Sequence, residues 1–325
     1  MACSGSRLRI ATAVFVLFAT ASIASAQNWP AKPVHVVVPY AAGSATDIVP
    51  RTVFDHLSRQ AGQTVVVDNR PGGGTTIGTG LVAKSEPDGH TILVHSNAIV
   101  TTPAIQANVG YDPVTDFSGV ATLGNVPMVL VISPQKNIKT LKQLVDFAKA
   151  KAGQLNYAAA GIGTPPHLAM ERFRIAAGFE GQLVPFRGSP EALTEVLAGR
   201  VDIYFVPLPP AISFIREGKL VALAVSNSKR AEALPDVPTT LEAGYPNSDF
   251  DFWIGSFVPK KTPRATVGTM HTTILKSLAD AGVKDKLANL GVEPLIMKPE
   301  DFDARVAKEA KIAVELARAA KIPMQ

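Results

Sequence analysis

Short β-branched runs alternate with helical patterns along the chain, and this alternation limits the possible folds more than any other feature. The first run, Val34–Val38, is followed by a Gly/Ser turn and then by Val49, Val53 and Leu57 at helical spacing. Further strand-like runs lie at 65–67, 91–95, 128–132, 155–159, 183–186, 201–206 and 220–225, and a helix capped by Thr140 follows 128–132. Apolar strands separated by helices are typical of parallel sheets with helices on both faces. The sequence therefore predicts an α/β fold with mostly parallel sheets.

Two interruptions of this pattern predict two lobes. The first lies within 119–134, where a Gly-Asn-Val-Pro sequence breaks a strand-like stretch, and the second lies within 226–238, which its prolines hold extended. Two chain crossings would build lobe I from residues 27–124 and 226–325, and lobe II from residues 125–225. Lobes connected in this way can close around a ligand by a hinge motion.

Residues 1–26 have the composition of a signal peptide. Arg7 and Arg9 precede an apolar run of 14 residues at 10–23, and Ala24-Ser25-Ala26 has the form of a cleavage site. The run is shorter than the roughly 20 residues that span a membrane. We therefore predict an exported protein cleaved after Ala26. Because Cys3 is the only cysteine, the mature chain would contain no disulfide, thiolate metal site or cysteine nucleophile.

Composition and motifs argue against several functions of the mature chain. Removing 26 of 325 residues leaves 299, and removing two of the 32 basic residues leaves a formal charge of 30 − 27 = +3. Without a basic run, nucleic-acid binding is not expected. The six histidines include no H-x-x-x-H pair, and no G-x-S-x-G elbow is present. No metal and no cofactor are predicted.

Two glycine-rich turns lack the complete form of a nucleotide-binding motif. The turn at 71–75 has no Gly-Lys-Ser/Thr ending, which favours a flexible strand–helix connection over a phosphate loop. Gly161-Ile162-Gly163 is followed by two prolines within its next three residues instead of a third glycine. Neither turn therefore predicts a nucleotide.

Three strand–turn–helix units have helix starts that could hold an anion. Ser44 and Asp47 have capping-box spacing, Thr164 precedes Pro165 as an N-cap, and Ser189 precedes Pro190 in the same way. A helix N-terminus presents free N–H groups and about half a positive charge, and so can bind a carboxylate. A single unit of this kind is more often structural, whereas three in one chain strengthen the prediction of an anion site.

The charged or titratable residues in these units have alternative roles. Asp47 either caps its turn or contacts a ligand amine. His167 donates either to a ligand or to a backbone carbonyl, and Arg187 either binds a carboxylate bidentately or is a solvated surface residue.

Ordered motifs across the mature chain resemble one receptor family. They are Trp29-Pro30-x-Lys32-Pro33, Val38-Pro39-Tyr40-x-Ala42-Gly43-x-x-x-Asp47, Val67-Asp68-Asn69-Arg70-Pro71-Gly72, Ile77-Gly78-Thr79, Pro87-Asp88-Gly89, Gly161-x-Gly163-Thr164-x-x-His167-Leu168, Gly199-x-Val201-Asp202, Leu234-Pro235-Asp236-Val237-Pro238-Thr239 and Glu242-Ala243-Gly244-Tyr245-Pro246. This set resembles the extracytoplasmic receptors of tripartite tricarboxylate transporters, the Bug family.

The resemblance implies a monomeric, two-lobed periplasmic receptor with a type II-like Venus-flytrap fold, which delivers its ligand to membrane transporter subunits. The ligand would be a dicarboxylate, a tricarboxylate, an acidic amino acid or an aromatic acid. The implied ligand-binding residues are Tyr40, Ala41, Gly43, Ser44, Thr46 and Asp47 in the first turn, Ala160, Gly161, Gly163, Thr164 and His167 in the second, and Ser96, Asn97, Arg187 and Gly188 elsewhere.

The chain departs from the family pattern at two places. Ser44 stands where a second glycine is common, and Ala158 and Ala159 stand where small polar residues are frequent. Both departures bear on which ligand is bound. The alternative functions are a periplasmic sensor that acts on a membrane signalling partner and an exported hydrolase.

Overall fold

A computed structural model describes residues 29–319 and Met324. The predicted signal peptide and its cleavage site lie outside these described residues. Within them, no helix is long and apolar enough to cross a membrane.

Ten strands within the described residues form two five-stranded sheets. In chain order they are β1 Val34–Val38, β2 Val65–Asn69, β3 Thr91–Ser96, β4 Phe117–Asn125, β5 Met128–Ile132, β6 Leu155–Ala159, β7 Gly181–Pro185, β8 Ile203–Pro207, β9 Val221–Val225 and β10 Trp253–Pro259. Sheet A has the order β2-β1-β3-β10-β4, and sheet B has the order β7-β6-β8-β5-β9. We call sheet A with its helices lobe I and sheet B with its helices lobe II. The predicted α/β fold with two lobes is confirmed.

Ten α-helices accompany these strands in the described part of the chain. They are α1 Ala45–Ala61, α2 Thr76–Ala83, α3 Ala98–Thr101, α4 Leu141–Ala150, α5 Pro165–Ala177, α6 Ser189–Leu197, α7 Ile212–Arg216, α8 Arg264–Ala279, α9 Ala281–Asn289 and α10 Pro299–Ala319. Helix α4 has the predicted cap: the Thr140 hydroxyl accepts from the Gln143 amide at 3.2 Å in a complete capping box. Its apolar face, which includes Leu144 and Val145, is buried in the core.

Each sheet is mostly parallel but contains one antiparallel strand. These strands are β10, between β3 and β4 in sheet A, and β5, between β8 and β9 in sheet B. The link from β4 to β5 has only two residues. Strand β5 therefore starts at the edge of sheet B that faces lobe I, where the parallel strands end, and must run away from that edge.

The first crossing between the sheets lies between Asn125 and Met128, and the chain has returned to sheet A at Trp253. The sequence prediction assigns residues 226–252 to lobe I. However, Thr239 forms a bridge with Val225, the last residue of β9, and the Phe250 amide donates to the Ser226 carbonyl at 2.7 Å. We propose that the segment up to about residue 250 belongs to lobe II and that the second crossing follows it.

Candidate functional site

A cavity of about 440 Å³ lies between the lobes, at the carboxyl ends of strands from both sheets. Four segments line it: the turns after β1 and β2 in lobe I, and those after β6 and β7 in lobe II. The lining residues are Pro39, Tyr40, Pro71, Gly72, Gly73, Gly74, Thr75, Ala160, Gly161, Phe186 and Arg187. Ligands of α/β sheets bind at this edge, which makes the cavity the candidate site.

The turn between β1 and α1 is held by a buried carboxylate. The Gly43 amide donates to Asp47 Oδ2 at 2.8 Å, and Gly43 has a φ of +80° that suits glycine. Arg51 Nε and Asn69 Nδ2 donate to Asp47 Oδ1 at 2.8 and 2.9 Å. Asn69 Nδ2 also donates to the Tyr40 carbonyl at 3.1 Å. Asp47 therefore fixes the turn through protein partners.

The predicted capping box of Ser44 and Asp47 does not form. Ser44 is the N-cap residue of α1, but its hydroxyl makes no cap hydrogen bond. Asp47 Oδ2 instead accepts a hydrogen bond from the Gly43 amide. The Ser44 side chain is buried, and its Oγ has no hydrogen-bond partner among the described residues. Thr46 is also buried, in the first turn of α1.

The second turn, between β6 and α5, is compact and bonded to itself. The Thr164 hydroxyl donates to the Gly161 carbonyl at 2.7 Å. Thr164 occupies the predicted N-cap position before Pro165, but its side chain does not cap the helix. Gly161 and Gly163 have φ angles of +111° and +79°, which favour glycine. Ala160 and Gly161 line the cavity.

His167 is buried and neutral beneath this turn. Its Nδ1 accepts a hydrogen bond from the Gly163 amide at 3.2 Å, so the ring proton lies on Nε2. Burial lowers the pKa of His167. Within the protein, His167 accepts from an amide instead of donating to a carbonyl. Donation from His167 to a ligand stays a prediction.

An ion pair in α5 lies next to His167. Arg174 donates to both carboxylate oxygens of Glu171, at 2.7 and 2.6 Å, and the Tyr157 hydroxyl donates at 2.5 Å. Burial alone would raise the pKa of Glu171, but these hydrogen bonds outweigh burial and hold the pKa below its usual value. Glu171 is therefore charged and fully engaged, and it serves the structure of α5.

The third turn, after β7, carries the positive charge of the site. Arg187 is exposed and lines the cavity. Its guanidinium makes no ion pair with another described residue, while its backbone amide donates to Glu191 Oε2 at 3.2 Å. It is the only charged side chain among the residues that line the cavity. The predicted cap Ser189 is the first residue of α6, after the N-cap Gly188, and its hydroxyl lies 3.1 Å from the Tyr204 hydroxyl. A buried partner from β8 thus replaces the capping contact.

The two lobes touch beside the cavity. A Cβ atom on Gly188 would lie 2.8 Å from the Ala41 Cβ, and one on Gly43 would lie 3.4 Å from Pro190 Cγ. The first and third turns are therefore in contact across the lobes, and Gly188 allows their close approach.

Ser96 and Asn97, predicted from the end of β3, have different surroundings. The Ser96 hydroxyl lies 2.7 Å from the Tyr40 hydroxyl beneath the cavity, and burial raises the pKa of Tyr40. Asn97 lines a separate cavity of about 200 Å³ and donates to the Asp251 carbonyl at 2.9 Å. The structure therefore brings Ser96 to the site through Tyr40 and does not bring Asn97 to the main cavity.

The site prediction misses the turn after β2. Gly72, Gly73, Gly74 and Thr75 line the cavity, and all four have positive φ angles. A Cβ atom on Gly74 would lie 2.4 Å from Gln106 Nε2, so a side chain there would displace the Gln106 amide, and the φ of +64° favours glycine. The signal in the sequence is the glycine run itself, which favours close backbone approach even where the phosphate-loop pattern is absent.

Comparison with known proteins agrees with this architecture. The family model described as "Tripartite tricarboxylate transporter family receptor" matches residues 49–320. Protein BugT of Bordetella pertussis is 32% identical over 306 residues, which cover 93% of this chain and 94% of BugT.

Solved structures are similar over nearly the whole chain. The periplasmic binding protein BugD superposes with a TM-score of 0.86 at 33% identity, covering 91% of this chain and 100% of BugD. A protein titled "R. palustris Rpa4515 with adipate" gives a TM-score of 0.87 at 31% identity over 91% of this chain and 99% of that one. MatC from Rhodopseudomonas palustris with bound malate gives a TM-score of 0.82 at 30% identity, covering 89% of this chain and 99% of MatC. The chain therefore belongs to the tripartite tricarboxylate transporter receptors, the Bug family of periplasmic solute-binding proteins.

Proposed function

We propose that the protein captures a small carboxylate in the cavity between its lobes and delivers it to a tripartite tricarboxylate-type membrane transporter. The observation that carries this proposal is the convergence of turns from both lobes on one cavity, each turn leading into a helix. A ligand that contacts all of them holds the lobes together.

The electrostatics of the cavity suit an anion. Helices α1, α5 and α6 begin at the ends of the three turns, and a helix start attracts negative charge. Arg187 adds a cation at the lining, and no carboxylate is among the lining residues. Glu191, which accepts from the Arg187 backbone amide at 3.2 Å, lies outside the lining. The wall is otherwise built of glycine, proline and small or aromatic residues, so backbone N–H groups provide much of the hydrogen bonding.

A dicarboxylate is the first ligand class to test. Two similar structures are titled with adipate and malate, and these acids fit a cavity of about 440 Å³. One carboxylate would bind the turn after β1 together with residues 160–164. The second would lie toward Arg187, whose guanidinium can bind it bidentately.

The binding test is a thermal-shift screen of refolded, ligand-free protein, followed by calorimetry. The screen contains adipate, malate, acidic amino acids and aromatic acids, with adipamide as the neutral analogue of adipate. At a hundredfold excess over the dissociation constant, a ligand should stabilise the protein by about 2.7 kcal/mol. A carboxylate hit without an adipamide hit supports the proposal. Silence across the carboxylates contradicts it.

Delivery to a transporter is tested in cells. Deleting the gene should abolish uptake of the ligand found in the screen, and a plasmid copy should restore uptake. Intact uptake together with altered transcription would instead favour the sensor function.

A further inference from the structure

A buried hydrogen bond ties the two lobes together beside the cavity. The Thr101 hydroxyl, at the end of α3 in lobe I, donates to the Gly163 carbonyl in the turn of lobe II at 2.8 Å. Thr101 is buried, which protects the bond from water. The turn that leads to the candidate site is thus fixed from the opposite lobe.

Three further contacts join the same two segments. Gln106 Nε2 donates to the Ile162 carbonyl at 3.4 Å. The Ile162 side chain packs against Ala104, Ile105 and two alanines of α10, in a hydrophobic cluster separate from the lobe cores. A Cβ atom on Gly163 would lie 2.7 Å from Ile105 Cδ1, so the glycine permits this contact.

We infer that Thr101, Ile105, Gln106, Ile162 and Gly163 form a latch that fastens the lobes and positions residues 160–164 for the ligand. This inference rests on the proposed function, because it assigns to that site its positioning residues. None of these five residues lines the cavity. Thr101, Ile105 and Gln106 act on the ligand only through the turn at 160–164, which they hold from lobe I.

The latch has a kinetic consequence. Opening the lobes must break the Thr101 hydrogen bond and expose the Ile162 side chain. Both changes cost free energy whether or not a ligand is bound. The latch therefore raises the closed population of the free protein. It slows ligand release, because the closed complex must break the latch to open. It does not speed ligand capture, because the latch forms only after the lobes meet.

The first experiment measures lobe closure without any ligand. Spin labels are attached through Lys149→Cys in α4 and Lys261→Cys after β10, both exposed and in different lobes, in a Cys3→Ser chain. Thr101→Val keeps the side-chain shape and removes the donor, and Ile162→Ala removes most of the apolar contact. Both should lengthen the label distance by increasing the open population.

The matched control is Thr122→Val. The Thr122 hydroxyl donates to the Leu295 carbonyl, inside lobe I and away from the latch. This variant should lose stability without changing the label distance. An unchanged distance in both latch variants would overturn the inference, and so would an equal shift in the control.

The second experiment measures adipate dissociation by stopped flow. We expect the dissociation rate to rise about fivefold in Thr101→Val and about tenfold in Ile162→Ala, while the association rates stay the same or rise with the larger open population. Equal rates in wild type and both variants would contradict the latch. If neither adipate nor malate binds the wild type, that result counts against the proposed ligands, while the label distances still decide the latch.

Discussion

Asp47 Oδ2 accepts a hydrogen bond from the Gly43 amide at 2.8 Å, which closes the turn between β1 and α1 on itself. The other carboxylate oxygen, Oδ1, accepts hydrogen bonds from Arg51 Nε and Asn69 Nδ2. The turn is thus shaped by the protein before any ligand arrives, and a preorganised site loses less free energy on binding.

Asp47→Ala should weaken both the fold and ligand binding. The change leaves three donors without their acceptor and should lower the free energy of unfolding by about 2 kcal/mol. Affinity for the carboxylate should fall because the turn is no longer fixed. Urea unfolding and calorimetry measure the two effects. Asp55→Ala, an exposed acid on the same helix, should change neither. Wild-type affinity in Asp47→Ala would contradict the positioning role.

Gly163→Ala should weaken binding by about tenfold, since the added methyl meets Ile105 and the φ of +79° strains a non-glycine residue. The control is Gly178→Ala, at the end of α5, where φ is +69° and no atom lies within 4 Å of the added methyl. It should cost about 1 kcal/mol of stability and leave affinity unchanged. Equal affinity losses in the two variants would assign the effect to backbone strain alone.

Ser44→Ala should weaken binding without destabilising the protein. The buried Ser44 hydroxyl has no hydrogen-bond partner among the described residues, and removing such a group can add about 1 kcal/mol of stability. Affinity should fall about fivefold, because the variant loses the hydrogen bond from this hydroxyl to the ligand. Ser58→Ala removes a hydroxyl that donates to the Gln63 carbonyl at 2.7 Å, so it should lower the melting temperature and spare affinity. Unchanged affinity in Ser44→Ala would remove Ser44 from the site.

Arg187→Gln should lower affinity for adipate by about tenfold and affect a monocarboxylate less. The difference should shrink at high salt, because Arg187 is exposed and its charge is screened. Calorimetry at two ionic strengths measures both effects. Lys229→Gln, at an exposed lysine outside the lining, is the charge-matched control. An equal loss of affinity for adipate and for the monocarboxylate would show that Arg187 does not bind a second carboxylate.

Stability should fall as the pH decreases below 6.5, because of buried His95. Burial lowers the pKa of His95 from 6.5 to about 3, so the folded protein stays neutral at this ring while the unfolded chain takes up a proton. The stability present above pH 6.5 is therefore lost between pH 6.5 and about 3, at up to about 1.4 kcal/mol per pH unit. Urea unfolding at pH 7, 6 and 5 measures the slope. A slope equally steep in His95→Asn would assign it to other groups.

Local patterns predicted much of the fold. Strands β1, β5 and β6 and the Thr140 cap are found at the predicted residues, because these signals lie within a few residues of one another. The Ser44–Asp47 capping box and the Ser189 cap were wrong, although Ser44 is the N-cap residue of α1, because their hydroxyls have tertiary surroundings that the sequence does not display. For Ser189 the competing partner is Tyr204, 15 residues away.

The site was likewise predicted only where its position follows from local patterns. The turns after β1, β6 and β7 meet at the cavity, as strand ends in α/β sheets do. The turn at 71–75 was missed because its place opposite Ala160 depends on β2 lying beside β1 and on the lobes meeting. The ligand roles of these residues stay predictions.

Strand β10 has a consequence for the order in which the protein can fold. It lies between β3 and β4, so sheet A is incomplete until residues 253–259 are present, whereas sheet B needs nothing beyond residue 225. During synthesis or export from the N-terminus, lobe II can complete its sheet before β10 is available. Until then sheet A consists of two separate parts, β2-β1-β3 and β4, whose edges toward β10 are unpaired. Such edges are prone to aggregation. The late strand therefore makes lobe I the part of the chain with the greater need for protection before it is finished.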